Sequence, residues 1–355
     1  MVSWVPKKAV NTTIVNELLS LSSAKNQYTN GGPVVALLES KVRELLKIDD
    51  SKSVVCVSNG TVALWAAVAA IELYERKAIQ FCTQSFTFPA SAQGYLDNVI
   101  IIDNDEGGGL DLEKVDISGC DGIIVTNAFG NVVDIAKYEK WCAAHGKFLI
   151  FDNAATPYTF YGGKNSCNYG HASTISFHHT KPIGFGEGGA IIIDSKYERC
   201  LRNAINFGID NTSPTAKWHR VGGNYKMSDI QAAYILQYLE RFNELISRAE
   251  LLYLYFVEKI KGYKEITLYP NYSDTPPLLS CLSILMPNSQ RTIDALLQRN
   301  IYCRKYYNPL EDTPVASNLY SRIVCISFTV DMTISDIDTI LEIISDETID
   351  NELSE

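Results

Sequence analysis

The chain has 355 residues, 46% of them hydrophobic and 20% charged, with a formal net charge of -10. That length and composition can bury a large core and leave room for two domains, while an acidic chain without Lys or Arg runs offers no phosphate-tracking surface, so nucleic acid is not an expected partner. Nine cysteines, an odd number with no C-x-x-C pair, point to neither a disulfide framework nor a zinc ribbon and fit a reducing compartment.

In chain order, the opening "MVSWVPKKAV" lacks the apolar stretch of a signal peptide, and no later run approaches the roughly 20 apolar residues that cross a bilayer. The expectation is a soluble cytoplasmic protein without a membrane partner. Short β-rich runs follow at 53–57, 78–82, 98–103, 122–126, 148–152, 173–177 and 189–194. Most are apolar throughout, which predicts burial on both faces. Helix-like segments at 60–75 and 134–146 lie between them, the second stopped by Gly146. This alternation predicts an α/β fold with a sheet covered by helices on both faces. From Ser228 to about Lys261 runs a stretch free of Gly and Pro, read as one long helix joining two domains, 1–245 and 246–355. The smaller α+β C-terminal domain should contain "ITLYP", a run around "LLSCLSILM", the helix "QRTIDALLQRN", the loop "YYNPLEDTP", the strand "IVCISF" and a helix from about Ser335 to Ser345.

Lys181 stands in "SFHHTKPIGFGEGGAI", between an apolar strand and a glycine cluster. A lone lysine is most often a surface lysine, but this one has company. Asp152 in "FDNAA" ends another predicted strand, where open α/β sheets place their ligand crevice. In "VSNGTVAL" a strand gives way to a helix: Gly60 permits close backbone approach, Thr61 carries a hydroxyl, and the helix N-terminus suits a phosphate, although simple N-capping would use the same residues. No Gly-Lys-Ser/Thr follows, so this is not a Walker loop. An amine, a carboxylate and a phosphate cradle at strand ends match the needs of pyridoxal phosphate. Its aldehyde is held as a Schiff base, its phosphate is anchored, and its pyridine nitrogen is kept protonated by a carboxylate. Phe88 in "SFTFPA" could stack on the ring, and could equally be a core residue.

The pieces "SNGTVAL", "SFTFPA", "FDNAA", "SFHHTKPIGFGEGGAI" and "GGNYKMSDIQAA" resemble, in order and approximate spacing, the DegT/StrS family of pyridoxal-phosphate-dependent nucleotide-sugar aminotransferases. The resemblance runs from about residue 28 to the C-terminal helix, and S-F-H-x-x-K followed by G-E-G-G is its most specific part. It implies fold type I, a mixed central sheet with helices on both faces plus the smaller C-terminal domain. Within the family, "TNGGPVVALLE" and "NYGHASTISFHHTK" look most like enzymes of the viosamine synthase type, which aminate C4 of a 4-keto-6-deoxyhexose.

Carried over, the resemblance makes Lys181 the lysine that holds the cofactor and shuttles protons, and Asp152 the partner of the pyridine nitrogen. Gly60, Thr61 and Ser176 become phosphate ligands and Phe88 the stacking aromatic. Asn224 in "GGNYKM" would reach the phosphate of a neighbouring subunit, which implies a homodimer. The substrates implied are L-glutamate and a nucleotide-linked keto sugar. Three positions depart from the family pattern: Ala155 where His or Gln is usual, Asn127 where His is common, and Lys226 for an arginine. A sugar dehydratase, a 3-aminotransferase or a non-catalytic cofactor-binding sensor on the same fold are the alternatives. The usual dehydratases replace the lysine by histidine, so Lys181 speaks against that branch. "GFGEGG" has no helix opening on it and is not read as a dinucleotide loop. The five histidines show no spacing suited to a metal. The "YYNPLE" loop at 306–311 could face the substrate, with ordinary loop packing the blander reading.

Overall fold

The computed structural model describes residues 2–210, 217–263 and 266–352, and side chains as far as residue 346. In chain order the elements are α1 (Thr12–Lys25), α2 (Pro33–Leu46), β1 (Lys52–Val57), α3 (Gly60–Glu75), β2 (Phe81–Gln84), β3 (Ile100–Ile102), β4 (Gly122–Thr126), α4 (Ile135–His145) and β5 (Phe148–Asp152). A short hairpin, β6 (Phe160–Tyr161) and β7 (Lys164–Asn165), precedes β8 (Ala172–Ser176), β9 (Gly189–Asp194) and α5 (Glu198–Ala204). A second hairpin, β10 (Ile209–Asp210) and β11 (Lys217–Trp218), leads to α6 (Asp229–Leu239) and α7 (Phe242–Ile260). The chain ends with β12 (Thr267–Leu268), β13 (Leu282–Leu285), α8 (Ser289–Gln298), β14 (Cys303–Arg304), α9 (Pro314–Arg322), β15 (Ile323–Ile326) and α10 (Ile334–Glu352).

Seven strands form one sheet in the order β1-β9-β8-β5-β4-β2-β3. β9 runs against both its neighbours, and the pairs from β8 to β3 are parallel, so the sheet is mixed. β1, β2, β4 and β8 are buried at every residue, as their unbroken apolar runs require of strands covered on both faces. β3 at the sheet edge is the exception, with Ile100 exposed. A second, antiparallel sheet has the order β12-β13-β15-β14.

The single long helix expected from Ser228 to about Lys261 is instead two helices, interrupted at Glu240 and Arg241. Each serves a different core. α6 buries Ala232, Ile235 and Leu236 beside α2 under the large sheet, whereas α7 buries Leu252, Phe256 and Ile260 with the C-terminal sheet. Phe242 at the break packs edge-on to Tyr158, ring centroids 5.1 Å apart. With no Gly or Pro to mark it, this break is a product of tertiary packing. At the C-terminus α10 continues past Ser345 to Glu352.

Buried Asp229 joins the first helices to α6: Oδ1 accepts from the Val35 N–H at 2.9 Å and Oδ2 from the Ser22 hydroxyl at 2.5 Å. The chain's two layers meet at Asp103 and at Ser85. Ser85 exchanges hydrogen bonds with Glu311, donating from Oγ at 2.6 Å and accepting from the Glu311 N–H at 3.0 Å, which pins the 306–311 loop to the end of β2. No helix among the described residues is long and apolar enough to cross a membrane.

Candidate active site

A cavity of about 680 Å³ opens where β1, β4, β5 and β8 end, and the antiparallel sheet closes its far side. Its lining includes Gly60, Thr61, Phe88, Asp152, Ser176 and Lys181. Six residues separated by as much as 121 positions in the chain are thus brought together by the parallel topology, which aligns the carboxyl ends of strands. Asn224, the seventh residue singled out from the sequence, is exposed and lies outside this lining.

One end of the cavity is built for an anion. Asn59 caps α3, its Oδ1 accepting from the Val62 N–H at 3.0 Å, while the Ala63 N–H bonds the Asn59 carbonyl. Neither bond uses the N–H of Gly60 or Thr61, and the first N–H groups of a helix carry positive dipole character. Gly60 stands so close to β8 that a Cβ there would meet Ser176 Cβ at 2.9 Å and its hydroxyl oxygen at 3.1 Å. The missing side chain leaves a cradle of backbone N–H groups, the Thr61 hydroxyl and the Ser176 hydroxyl.

The floor carries the two opposite charges. Asp152 ends β5 and is 5% exposed. Its Oδ1 accepts from the Ala154 N–H at 3.0 Å and from the Thr174 hydroxyl at 3.3 Å, so both bonds fall on one oxygen and Oδ2 takes neither. Burial pushes this carboxyl above its usual range, against the pull of the Ala154 N–H, Lys181 and Thr174. Lys181 sits in a tight turn, its N–H donating to the His178 carbonyl at 2.8 Å. Burial lowers its amine, with Asp152 and then Cys281 opposing. A desolvated amine beside a desolvated carboxylate is the environment in which a lysine becomes a neutral base and nucleophile.

Aromatic rings form the walls. Phe88, 51% exposed, meets Tyr307 edge-on at 5.9 Å, and Tyr307 stacks on Phe129 at 5.0 Å. Burial holds the Tyr307 hydroxyl far above its usual range, so it is a neutral donor. Tyr306 and Tyr307 belong to the loop flagged in the sequence, and both line the cavity. Trp4, Ser280, Cys281 and Arg304 line it too. Nothing in their local sequence announces them, because they arrive from the N-terminal arm and the antiparallel sheet by long-range packing. His178 also lines the cavity, its Nδ1 2.8 Å from the Thr180 hydroxyl and its Nε2 3.5 Å from Glu187.

The departing positions are accounted for in part. Ala155 is buried in the lining and supplies no polar group. Asn127 donates to Asn153 Oδ1 at 2.7 Å and accepts from the Val133 N–H at 2.9 Å, so its amide is committed to holding strand ends together. Lys226 donates to Asn206 at 2.8 Å and lies over the Phe207 ring. The "GFGEGG" segment is an irregular link between the antiparallel strands β8 and β9, with no helix starting on it.

An anion cradle, a buried carboxylate with an oxygen to spare and a desolvated amine fit the phosphate, the pyridine nitrogen and the aldehyde of pyridoxal phosphate. Comparison with known proteins agrees. The model of the DegT/DnrJ/EryC1/StrS aminotransferase family matches residues 11–345. The chain is similar to an Escherichia coli dTDP-4-amino-4,6-dideoxy-D-glucose transaminase, 26% identical over 87% of this chain and 88% of that one. It is also similar to a Pseudomonas aeruginosa UDP-2-acetamido-2-deoxy-3-oxo-D-glucuronate aminotransferase, 29% identical over 61% of this chain and 60% of that one. Among solved structures, Helicobacter pylori PseC, an aminotransferase of pseudoaminic acid biosynthesis, superposes with a TM-score of 0.84 at 18% identity over 97% of this chain and 98% of that one, a likeness of fold.

Proposed function

The chain belongs to the DegT/DnrJ/EryC1/StrS aminotransferase family and is a pyridoxal-phosphate-dependent sugar transaminase of fold type I, and from that premise we propose that it moves an amino group from L-glutamate to C4 of a UDP- or dTDP-linked 4-keto-6-deoxyhexose. The product would be a 4-amino-4,6-dideoxy sugar nucleotide such as that of viosamine, for glycan biosynthesis. The observation that carries the reading is the pairing of Lys181 and Asp152 at the floor of one cavity. The near full-length likeness to a 4-amino-4,6-dideoxyglucose transaminase supports C4 as the site of amination.

When bound, pyridoxal phosphate supplies an electron sink for the carbanion left when a Cα proton is removed. The protein's own groups do the rest. Gly60, Thr61 and Ser176 would hold the phosphate, and Phe88 would pack against the ring. Asp152, with Oδ2 taking neither of its two hydrogen bonds, would hold the proton on the pyridine nitrogen. Lys181 Nζ, whose pKa burial lowers, takes the proton from the donor's Cα and later returns one to C4 of the sugar. Such positioned proton transfer is typically worth roughly 10² to 10⁴ in rate. Phe88, Tyr306 and Tyr307 would wall the bound substrate from water. Asn224, exposed and outside its own cavity, is free to complete the phosphate site of a second copy, which makes the active form a homodimer with a two-fold interface. Nine free thiols support a reducing, cytoplasmic setting.

A second reading, amination at C3, is favoured by the likeness to the 3-oxo-glucuronate aminotransferase. Incubation of the purified protein with glutamate and a panel of nucleotide-linked 4-keto and 3-keto sugars decides between them. 2-Oxoglutarate release with an amino group located at C4 by NMR is expected, an amino group at C3 selects the second reading, and silence across the panel removes both.

A further inference from the structure

The turn that carries Lys181 is held from outside by another lysine. The N-terminal arm starts at the antiparallel sheet, where the Val2 N–H donates to the Asn300 carbonyl at 3.0 Å, and reaches α6, where the Asn11 N–H donates to Gln237 at 3.0 Å. Between these anchors Lys8 passes behind the turn. Its Nζ donates to the carbonyls of His179 at 2.7 Å, Lys181 at 2.9 Å and Gly184 at 2.5 Å. The same ammonium lies 4.8 Å from the centre of the Tyr238 ring. We propose that Lys8 is a positioning residue for Lys181, its ammonium gathering three carbonyls of the turn and so fixing where the Lys181 amine stands. The inference rests on Lys181 being the lysine that joins the cofactor.

The geometry calls for a cation with several donors. Three carbonyl oxygens from a stretch of six residues point at one place, and their negative ends repel unless something positive stands between them. An ammonium offers three N–H donors and no acceptor, which matches three oxygens one for one. The turn is also closed too tightly to arrange itself otherwise. At Gly184 a Cβ would lie 2.1 Å from the His178 carbonyl oxygen, so the backbone folds directly upon itself there. An aromatic face completes the ammonium's surroundings, as cation–π contacts do. Burial lowers the Lys8 amine to about 7, and the three carbonyl acceptors favour its charged form against that pull. One of the three carbonyls is that of Lys181 itself, so movement of Lys8 is passed directly to the backbone from which the amine extends.

The test follows the cofactor onto the lysine rather than turnover. Apoenzyme is mixed with pyridoxal phosphate, quenched with borohydride at intervals, and the labelled peptide is quantified by mass spectrometry. Amide hydrogen exchange is measured in parallel. In Lys8→Ala, labelling of Lys181 should slow by on the order of 10- to 10²-fold, the scale of a misplaced reacting group. Amides of residues 179–184 should exchange faster while those of β8 and β9 stay unchanged. Propylammonium, which replaces the lost atoms, should restore labelling, and 1-propanol should not. Labelling at the wild-type rate, or equal rescue by propanol, overturns the proposal. Should Lys8→Ala not fold, Lys8→Met keeps the stem without the charge, and the same slow or unchanged labelling decides. If wild-type protein labels another lysine or none, the reading of Lys181 itself fails. If it labels Lys181 and the variants keep pace, only the role of Lys8 fails.

Discussion

Two buried aspartates follow parallel strands of the same sheet and meet opposite treatment. Asp103, just after β3, is 4% exposed, and Asp152, the end of β5, is 5% exposed. Asp103 caps α9 from across the layers: its carboxylate accepts from the Thr313 hydroxyl at 2.7 Å, the Ala316 N–H at 3.1 Å, the Val315 N–H at 3.2 Å and the Lys114 ammonium at 2.9 Å. Burial alone would raise it, but Thr313, Lys114 and the two N–H groups together hold it well below the usual carboxylate range. Asp152 has two donors on one oxygen, and there burial wins. A satisfied carboxylate joins layers. One left partly unsatisfied is available to a ligand, and its cost in stability is the kind that functional sites carry.

The largest effect should fall at the partner of the unsatisfied group. Lys181→Ala should lose at least the roughly 10²–10⁴ in rate that positioned proton transfer contributes, while an absorbance titration still detects noncovalent cofactor held by Asp152 and the phosphate cradle. Retained turnover would break the comparison at its functional end.

Next comes the joint. Asp103→Ala strands the Thr313 hydroxyl and two helix N–H groups, and should cost about 2–4 kcal/mol in urea denaturation. Its pH dependence has a definite sign. A carboxyl whose folded value is depressed adds stability above its unfolded value of about 3.9 and loses it as pH falls through the folded value. The gap between wild type and Asp103→Asn should therefore be full at neutral pH and shrink below about pH 4.

The smallest effect is of opposite sign. Because burial raises Asp152, its ionised form penalises the apoprotein, a penalty that appears as pH rises above the ordinary carboxylate value and is complete above the raised one. Asp152→Asn apoprotein should thus be more stable than wild type at neutral pH, by about 0.5–2 kcal/mol, with the difference vanishing in acid. A thermal scan of both cofactor-free proteins at several pH values reads it.

The Asp152 side of this contrast was visible in the sequence, and the reason is local. Apolar runs such as "GIIVT" and "FLIFD" form β4 and β5 at the expected residues, since a strand buried on both faces needs no partner to be recognised. Asp152, Gly60, Thr61, Ser176 and Lys181 stand at strand ends in contiguous motifs. What escaped depends on distant contacts. The break at Glu240 and Arg241 answers to two cores, not to a helix-stopping residue. Trp4, Cys281 and Arg304 reach the cavity from the arm and the second sheet, and Lys8 meets its carbonyls across more than 170 residues of chain. Asp103 carried no signal either, because Lys114, Thr313, Val315 and Ala316, which set it apart, lie on a neighbouring loop and at the start of α9.

The most direct measurement is the glutamate half-reaction, followed by stopped-flow absorbance in holoenzymes of wild type, Asp152→Asn and Asp103→Asn at a temperature where all three are folded. Asparagine preserves the shape at each site and removes the charge. The account predicts that Asp152→Asn slows the half-reaction by on the order of 10² to 10³, the scale for losing a preorganised electrostatic group, whereas Asp103→Asn reacts at close to the wild-type rate. Near wild-type rates in Asp152→Asn would contradict it, and would mean that another carboxylate serves the cofactor.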